Sequence, residues 1–191
     1  QTAAAPGAAL AEAAGTVAAA CRAMAARFHR GGRLFTFGNG AAATDAQHIA
    51  VEFVHPVVVG TRALPALSLT GDVATLTGVG ASAGLAEAFA HQLGCFGGPD
   101  DIALGVSPDG RCAGVVRGLE RARSLGMLTV ALAGGDGGDL ARGGAADHLL
   151  TVPSGDPRVV KEVHVTAYHV LWELVHVFLD RPRLLAEDVV A

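Results

Sequence analysis

The stretch RLFTFGNGAAATDA, residues 33–46, decides the fold class. Arg33 to Phe37 is a short apolar run of β-forming residues, and Gly38-Asn39-Gly40 stops it. A helical segment from about Thr44 to Val54 follows. Moving outward, the same alternation recurs. Pro65 to Leu69 reads as a strand with a short helix, Asp72 to Val79, behind it, and Ala83 to Leu93 reads as helical. Asp101 to Val106 is a third strand, followed by a helix from about Arg111 to Leu125. Met127 to Leu132 is a fourth strand, and a Gly-rich turn over Gly134 to Gly138 leads into a brief helix. His148 to Val152 is the fifth strand, and a long helix from Pro157 to Leu179 closes the pattern. Ahead of the first strand, Ala8 to His29 reads as one long helix. Its Leu10, Ala14, Val17, Cys21, Met24 and Phe28 recur at spacings of three or four, and Gly31-Gly32 ends it.

Compact apolar strands alternating with helices mean a parallel sheet covered on both faces, an α/β chain of three layers. No internal repeat and no linker divides it, so residues 1–191 are expected to form a single domain with a sheet core at 33–152. The terminal helices, 8–29 and 157–179, are longer than one layer over a small sheet requires. They are therefore expected to serve subunit packing as well as the core. Open parallel sheets bind ligands at the carboxyl ends of their strands, which directs attention to the loops after Phe37, Leu69, Val106 and Leu132.

Composition narrows the function classes. With 51% hydrophobic and 17% charged residues, the chain is an ordinary globular domain on the apolar side. A net charge of -4 with 14 Lys+Arg and no basic run excludes a general affinity for nucleic acid or anionic membrane. No apolar stretch reaches the roughly 18 residues of a membrane span. The Ala-rich start also lacks the layout of a signal peptide. Cys21, Cys95 and Cys112 are odd in number and widely spaced, which fits neither a disulfide framework nor a zinc finger and points to a reducing cytoplasm.

The loops carry the chemistry. Gly38 to Gly40 opens a helix, so Asn39, Gly40 and Ala41 can offer backbone N–H groups to an anion. The turn is not G-x-G-x-x-G and no P-loop lysine follows, which sets a dinucleotide or ATP site aside. The third strand ends in SPDGRC, residues 107–112, where Arg111 can grip an oxyanion while Asp109 repels one. His48 and Glu52 lie four apart on one helical face. His164 and His169, five apart on the last helix, cannot both look into one site. A His/Glu/His set suits a divalent metal or acid–base work, although an exposed helix pair gives the same spacing. Glu162, Glu173 and His176 read as solvated positions and Trp172 as a packing anchor.

Taken together, GNGAAATDAQHIAVEF (38–53), ALPALSLTGDVATLTGVG (63–80), DIALGVS (101–107), LERARSLGMLTVALAGGDGGDLA (119–141) and KEVHVTAYHVLWELV (161–175) resemble, in order, the SIS-domain proteins of the phosphoheptose isomerase type. The resemblance implies a flavodoxin-like five-stranded parallel sheet and a cytoplasmic homotetramer with active sites shared between subunits. It also implies isomerisation of a sedoheptulose 7-phosphate-like sugar phosphate through an enediol. By position, Glu52 matches the family's base and His169 its partner acid. His48, Glu52 and His169 match zinc ligands. Asn39, Gly40, Ala41, Ser107, Gly110, Arg111 and Lys161 match, with Glu52, the substrate shell.

The departures cluster in that shell. Lys161 stands where the family has a glutamine ligand to zinc, and an ammonium is no ligand; it is expected to lie against Glu52 in the metal's place. In the family's GNGGS loop, Ala41 replaces a glycine and Ala42 the serine. SPDGRC stands for STSGNS, keeping only Ser107 and Gly110. Ala81-Ser82 replaces an Asn-Asp, and Pro56 an arginine. Each lost hydroxyl removes a bond to a charged group of about 1.5–3 kcal/mol. Two readings stand: an isomerase with an altered grip on its substrate, or a non-catalytic SIS module that binds a sugar phosphate or a protein partner.

Overall fold

Every residue of Leu34–Gly38 (β1), Ile102–Ser107 (β3) and Leu128–Gly134 (β4) is buried, as a strand covered on both faces requires. The computed structural model describes residue 8 and residues 10–185. With Ala66–Ser68 (β2) and His148–Val152 (β5), these strands form one parallel sheet in the order β2-β1-β3-β4-β5. That is the flavodoxin-like order, so the expected α/β architecture holds.

The helices are Ala14–His29 (α1), Ala41–Val54 (α2), Val73–Ser82 (α3), Ala88–Phe96 (α4), Ala113–Ser124 (α5), Gly138–Gly143 (α6) and Pro157–Asp180 (α7). Side chains alternate along the strands with period two and sort into two cores. Leu34, Ile102, Leu104, Val130 and Leu132 pack with α1, α2 and α7. Phe35, Phe37, Ala103, Ala131 and Ala133 pack with α4 and α5 on the opposite face. Among the described residues, no helix is long and apolar enough to cross a membrane.

Three boundaries differ from the sequence expectation. The N-terminal helix is interrupted by a turn at Ala13, ahead of α1. Helix α2 begins at Ala41 rather than Thr44: Gly40, at φ 60°, turns the chain, and an Ala run then enters the helix directly. The expected helix over 83–93 is delayed by Gly84 at φ 93°; a short 3-10 turn over Leu85–Glu87 intervenes before α4. Asp156 starts α7 by accepting a bond from the Arg158 N–H at 3.0 Å, with Pro157 in the first turn.

Small residues let α5 sit close to the sheet. A Cβ added to Gly105 would stand 2.7 Å from Val115 Cγ1 and 3.2 Å from Leu119 Cδ1 and Phe37 Cε2. Gly118 faces the Phe37 ring with the same lack of room. We expect Gly105→Ala to lower the unfolding free energy by about 1–3 kcal/mol through overpacking. Urea denaturation checks this; an unchanged midpoint would mean that the α5 layer yields freely.

Candidate active site

Helices α2 and α7 meet along a seam of polar contacts that advances in the same direction on both. Lys161 Nζ lies 2.6 Å from Asp45 Oδ1, and also donates to Ala41 O and Thr44 Oγ1 at 3.0 Å each. Tyr168 Oη lies 3.0 Å from His48 Nδ1. Trp172 Nε1 donates to the Glu52 carbonyl at 2.9 Å. On α2 the residues in this line are 41, 45, 48 and 52, and on α7 they are 161, 168 and 172, all at helical spacing.

Within the seam, His48 Nε2 lies 3.1 Å from Glu52 Oε1. His169 joins them, its ring 5.2 Å from that of His48 and 4.9 Å from that of Tyr168. Donor atoms of His48, Glu52 and His169 all lie within 4.8 Å of one another. Glu52 is buried at 9% exposure, so its carboxylate is shielded from bulk water. The donor set, two imidazoles and one carboxylate, is that of a catalytic zinc site with an open position, and it fits a divalent cation. Tyr168 is pushed up to about 12, by burial first and then by the charges of Asp45 and Glu52.

Lys161 does not lie against Glu52, as the sequence suggested; it pairs with Asp45. Asp45 and Glu52 are seven residues apart, about 10 Å along a helix, and the reach of Lys161 ends at the first turn of α2. His164 turns away from the cluster and bonds the carbonyl of Ala133 at 3.1 Å, so one of the two α7 histidines enters the site, as their spacing required. Burial, first of all, holds His164 below its ordinary value. His176 is not a solvated position: the loop before β2 passes over it, and its ring bonds Arg62 O and Trp172 O. Glu162 and Glu173 are exposed. Trp172 is an anchor, and a hydrogen bond as well as packing makes it one.

At the carboxyl ends of β1 and β3 a pocket of about 300 Å³ opens, lined by Ala41, Asp45, Pro108, Arg158, Lys161 and His164 among others. Asn39 and Gly40 stand exposed at the β1 turn. The loop after β3 is closed upon itself. Asp109 Oδ1 accepts from the Arg111 N–H at 2.9 Å and from Ser107 Oγ at 3.3 Å, and Ser107 Oγ accepts from the Cys112 N–H. Arg111 Nη2 donates to both carboxylate oxygens of Asp136, at 2.8 and 2.9 Å. Asp136 is held below the usual carboxylate range by the Gly138 amide and by Arg111. Gly110, at φ 70°, touches the backbone of Gly137, where a side chain has no room.

Sequence reasoning missed Asp45, Tyr168 and Asp136. The first was legible: Asp45 lies three residues before His48 on the same face. Tyr168 sits beside His169 and was hidden by it, and Asp136 by the Gly-rich turn around it.

A profile of the SIS domain matches residues 3–134. The chain is 40% identical over 163 residues to the phosphoheptose isomerase of Solidesulfovibrio magneticus, covering 85% of this chain and 78% of that one. It is 40% identical over 145 residues to the phosphoheptose isomerase of Aquifex aeolicus, covering 76% and 75%. Among solved structures, a phosphoheptose isomerase from Francisella tularensis superposes with TM-score 0.81 at 33% identity, over 87% and 90% of the two chains. That of Neisseria gonorrhoeae gives TM-score 0.80 at 28% identity, over 87% and 88%.

We expect Lys161→Ala to leave the buried Asp45 carboxylate unpaired. Because Lys161 is itself two-fifths exposed, the cost should be about 1–2 kcal/mol, below that of breaking a fully buried pair. Thermal unfolding of the variant against Asp45→Asn and the double variant would test the coupling. Additive single effects would show that the pair contributes nothing.

Proposed function

Because this chain belongs to the SIS-domain family, and within it to the phosphoheptose isomerases, we propose that it interconverts the ketose and aldose forms of a heptose phosphate, with sedoheptulose 7-phosphate as its substrate. The observation that carries this reading is the convergence of Glu52, His48 and His169 on the α2–α7 seam. It is the set that a proton transfer beside a carbonyl needs. Glu52 takes the proton from the carbon next to the carbonyl, and His169 delivers one to the carbonyl oxygen. The resulting enediol loses its other hydroxyl proton and is reprotonated at the neighbouring carbon. No electron leaves the substrate, so no redox partner is required. Burial of Glu52 shields the proton in transit from water. A zinc ion held by His48, Glu52 and His169 would supply positive charge that stabilises the developing oxyanion. The same reading carries a homotetramer in the cytoplasm.

The phosphate end is where this chain departs from its relatives' chemistry. The sugar phosphate would lie in the pocket that Ala41 and Pro108 line, with Asn39 and Gly40 of the β1 turn and Ser107 and Gly110 of the β3 loop as the family-matched positions around it. Lys161 and Arg158 line it, each already paired, with Asp45 and with Asp156. The donors of the β3 loop are taken within the loop, by Asp109 and by Ser107, and the Arg111 guanidinium is taken by Asp136. This closure favours a second reading, a SIS module that binds a sugar phosphate or a protein partner without turnover.

Isomerisation of sedoheptulose 7-phosphate by the purified protein, with zinc and with a chelator, separates the two. The expected result is turnover that Glu52→Gln reduces by at least about a thousandfold while the oligomer stays intact. A folded protein with no turnover in either condition would select the binding module. Asp109→Asn keeps the turn and removes the competing charge. Its KM for sedoheptulose 7-phosphate should fall about tenfold, the worth of roughly 1.4 kcal/mol, with kcat unchanged. An unaltered KM would mean that the phosphate does not meet this loop.

A further inference from the structure

His48 has a partner at each ring nitrogen. Nε2 lies 3.1 Å from Glu52 Oε1, and Nδ1 lies 3.0 Å from Tyr168 Oη. A carboxylate oxygen accepts and does not donate, so the hydrogen of the first bond sits on Nε2. A neutral imidazole then carries its lone pair at Nδ1, and the Tyr168 hydroxyl donates to it. Tyr168 is only 2% exposed, so its hydroxyl is held against the ring and not turned to solvent. In this state the nitrogen that faces Glu52 has no lone pair to give a cation. For His48 to ligate through Nε2, its proton must move to Nδ1 and the partner there must accept.

A hydroxyl is suited to this exchange. A carbonyl or carboxylate opposite Nδ1 only accepts, and an N–H only donates; an O–H does either after a rotation about its C–O bond. We propose that Tyr168 is a positioning residue for a divalent cation at the His48–Glu52–His169 cluster: its hydroxyl donates to Nδ1 in the free protein and accepts from Nδ1–H once Nε2 is a ligand. The ring neither gains nor loses a proton; the hydrogen changes nitrogen, and the hydroxyl reverses its role. Ligation draws electron density from the ring and makes its N–H a better donor, so the bond to Tyr168 is stronger in the loaded site than in the free one. Tyr168 precedes His169 on α7 and crosses its ring at 4.9 Å, so the same turn of helix carries a ligand and the support for another.

The inference rests on the metal-binding reading of the cluster and not on the isomerisation, and its test uses no turnover. The experiment is a zinc titration of the whole protein at about pH 8, where an ordinary imidazole is neutral. It is followed by the nitrogen chemical shifts of the His48 ring and by calorimetry. In the wild-type protein the shifts should place the ring proton on Nε2 before zinc and on Nδ1 after it. Tyr168→Phe keeps the ring and its packing and removes the oxygen, leaving the loaded site with an unsatisfied Nδ1–H. Its zinc affinity should fall about tenfold, toward the low end of the effect of such supporting partners. A tyrosine that served only packing would lower the melting temperature and leave the ring proton and the zinc affinity where they were. That result overturns the proposal. So does a free wild-type ring protonated at Nδ1, or a wild-type protein that takes up no zinc.

Discussion

The contact between α2 and α7 is the constraint on which the rest depends. Both helices lie on one face of the sheet, and each carries polar side chains into a largely apolar layer. Those groups need partners, because an unpaired polar group in such a layer costs several times what a satisfied one contributes. The seam supplies them in register: Lys161 with Asp45, Tyr168 with His48, Trp172 with the Glu52 carbonyl. Sliding either helix by one residue would break all three contacts together. The register that satisfies these contacts also brings His169 to His48 and Glu52, so the chemistry follows from the packing.

The strand ends show a different economy. The loop after β3 and the loop after β4 approach so closely that Gly110 and Gly137 touch backbone to backbone. Arg111 and Asp136 then pair across them. Both partners of that pair are about half exposed or more, so its worth in stability is small, and its effect is to fix the loops. Asp109 completes the closure by turning its carboxylate back onto the Arg111 amide. At the His48–Glu52–His169 cluster, by contrast, the Glu52 carboxylate is buried and partnered while the two histidines stay partly open. At the strand ends, the β3 loop has its donors engaged internally, while Asn39 and Gly40 of the β1 turn stand exposed.

Much of the fold was legible because its signals are local. Strands β1, β3, β4 and β5 are apolar runs with turn residues after them, and His148 to Val152 coincides with its expected span. The helix starts were less legible where glycines act: Gly40 and Gly84 take backbone angles that a propensity reading does not assign, and both moved a boundary. Within the site, the Glu52–His48 pair follows from spacing on one helix. The neighbour of Lys161 did not, since it depends on how far along α2 the start of α7 lies.

The sequence by itself determined the layers, the strand succession and the pairing of His48 with Glu52 on one helical face, because period-two and period-3.6 patterns and a short i, i+4 pair depend on nothing beyond their own segment. Only the tertiary structure decided the partners. Whether Lys161 meets Glu52 or Asp45 and which hydroxyl stands behind His48 are set by the axial register of helices more than a hundred residues apart, and whether Arg111 is free or held is set by the approach of the loops after β3 and β4. That register comes from packing, where a shift of one turn, about 5.4 Å, exchanges one partner for another.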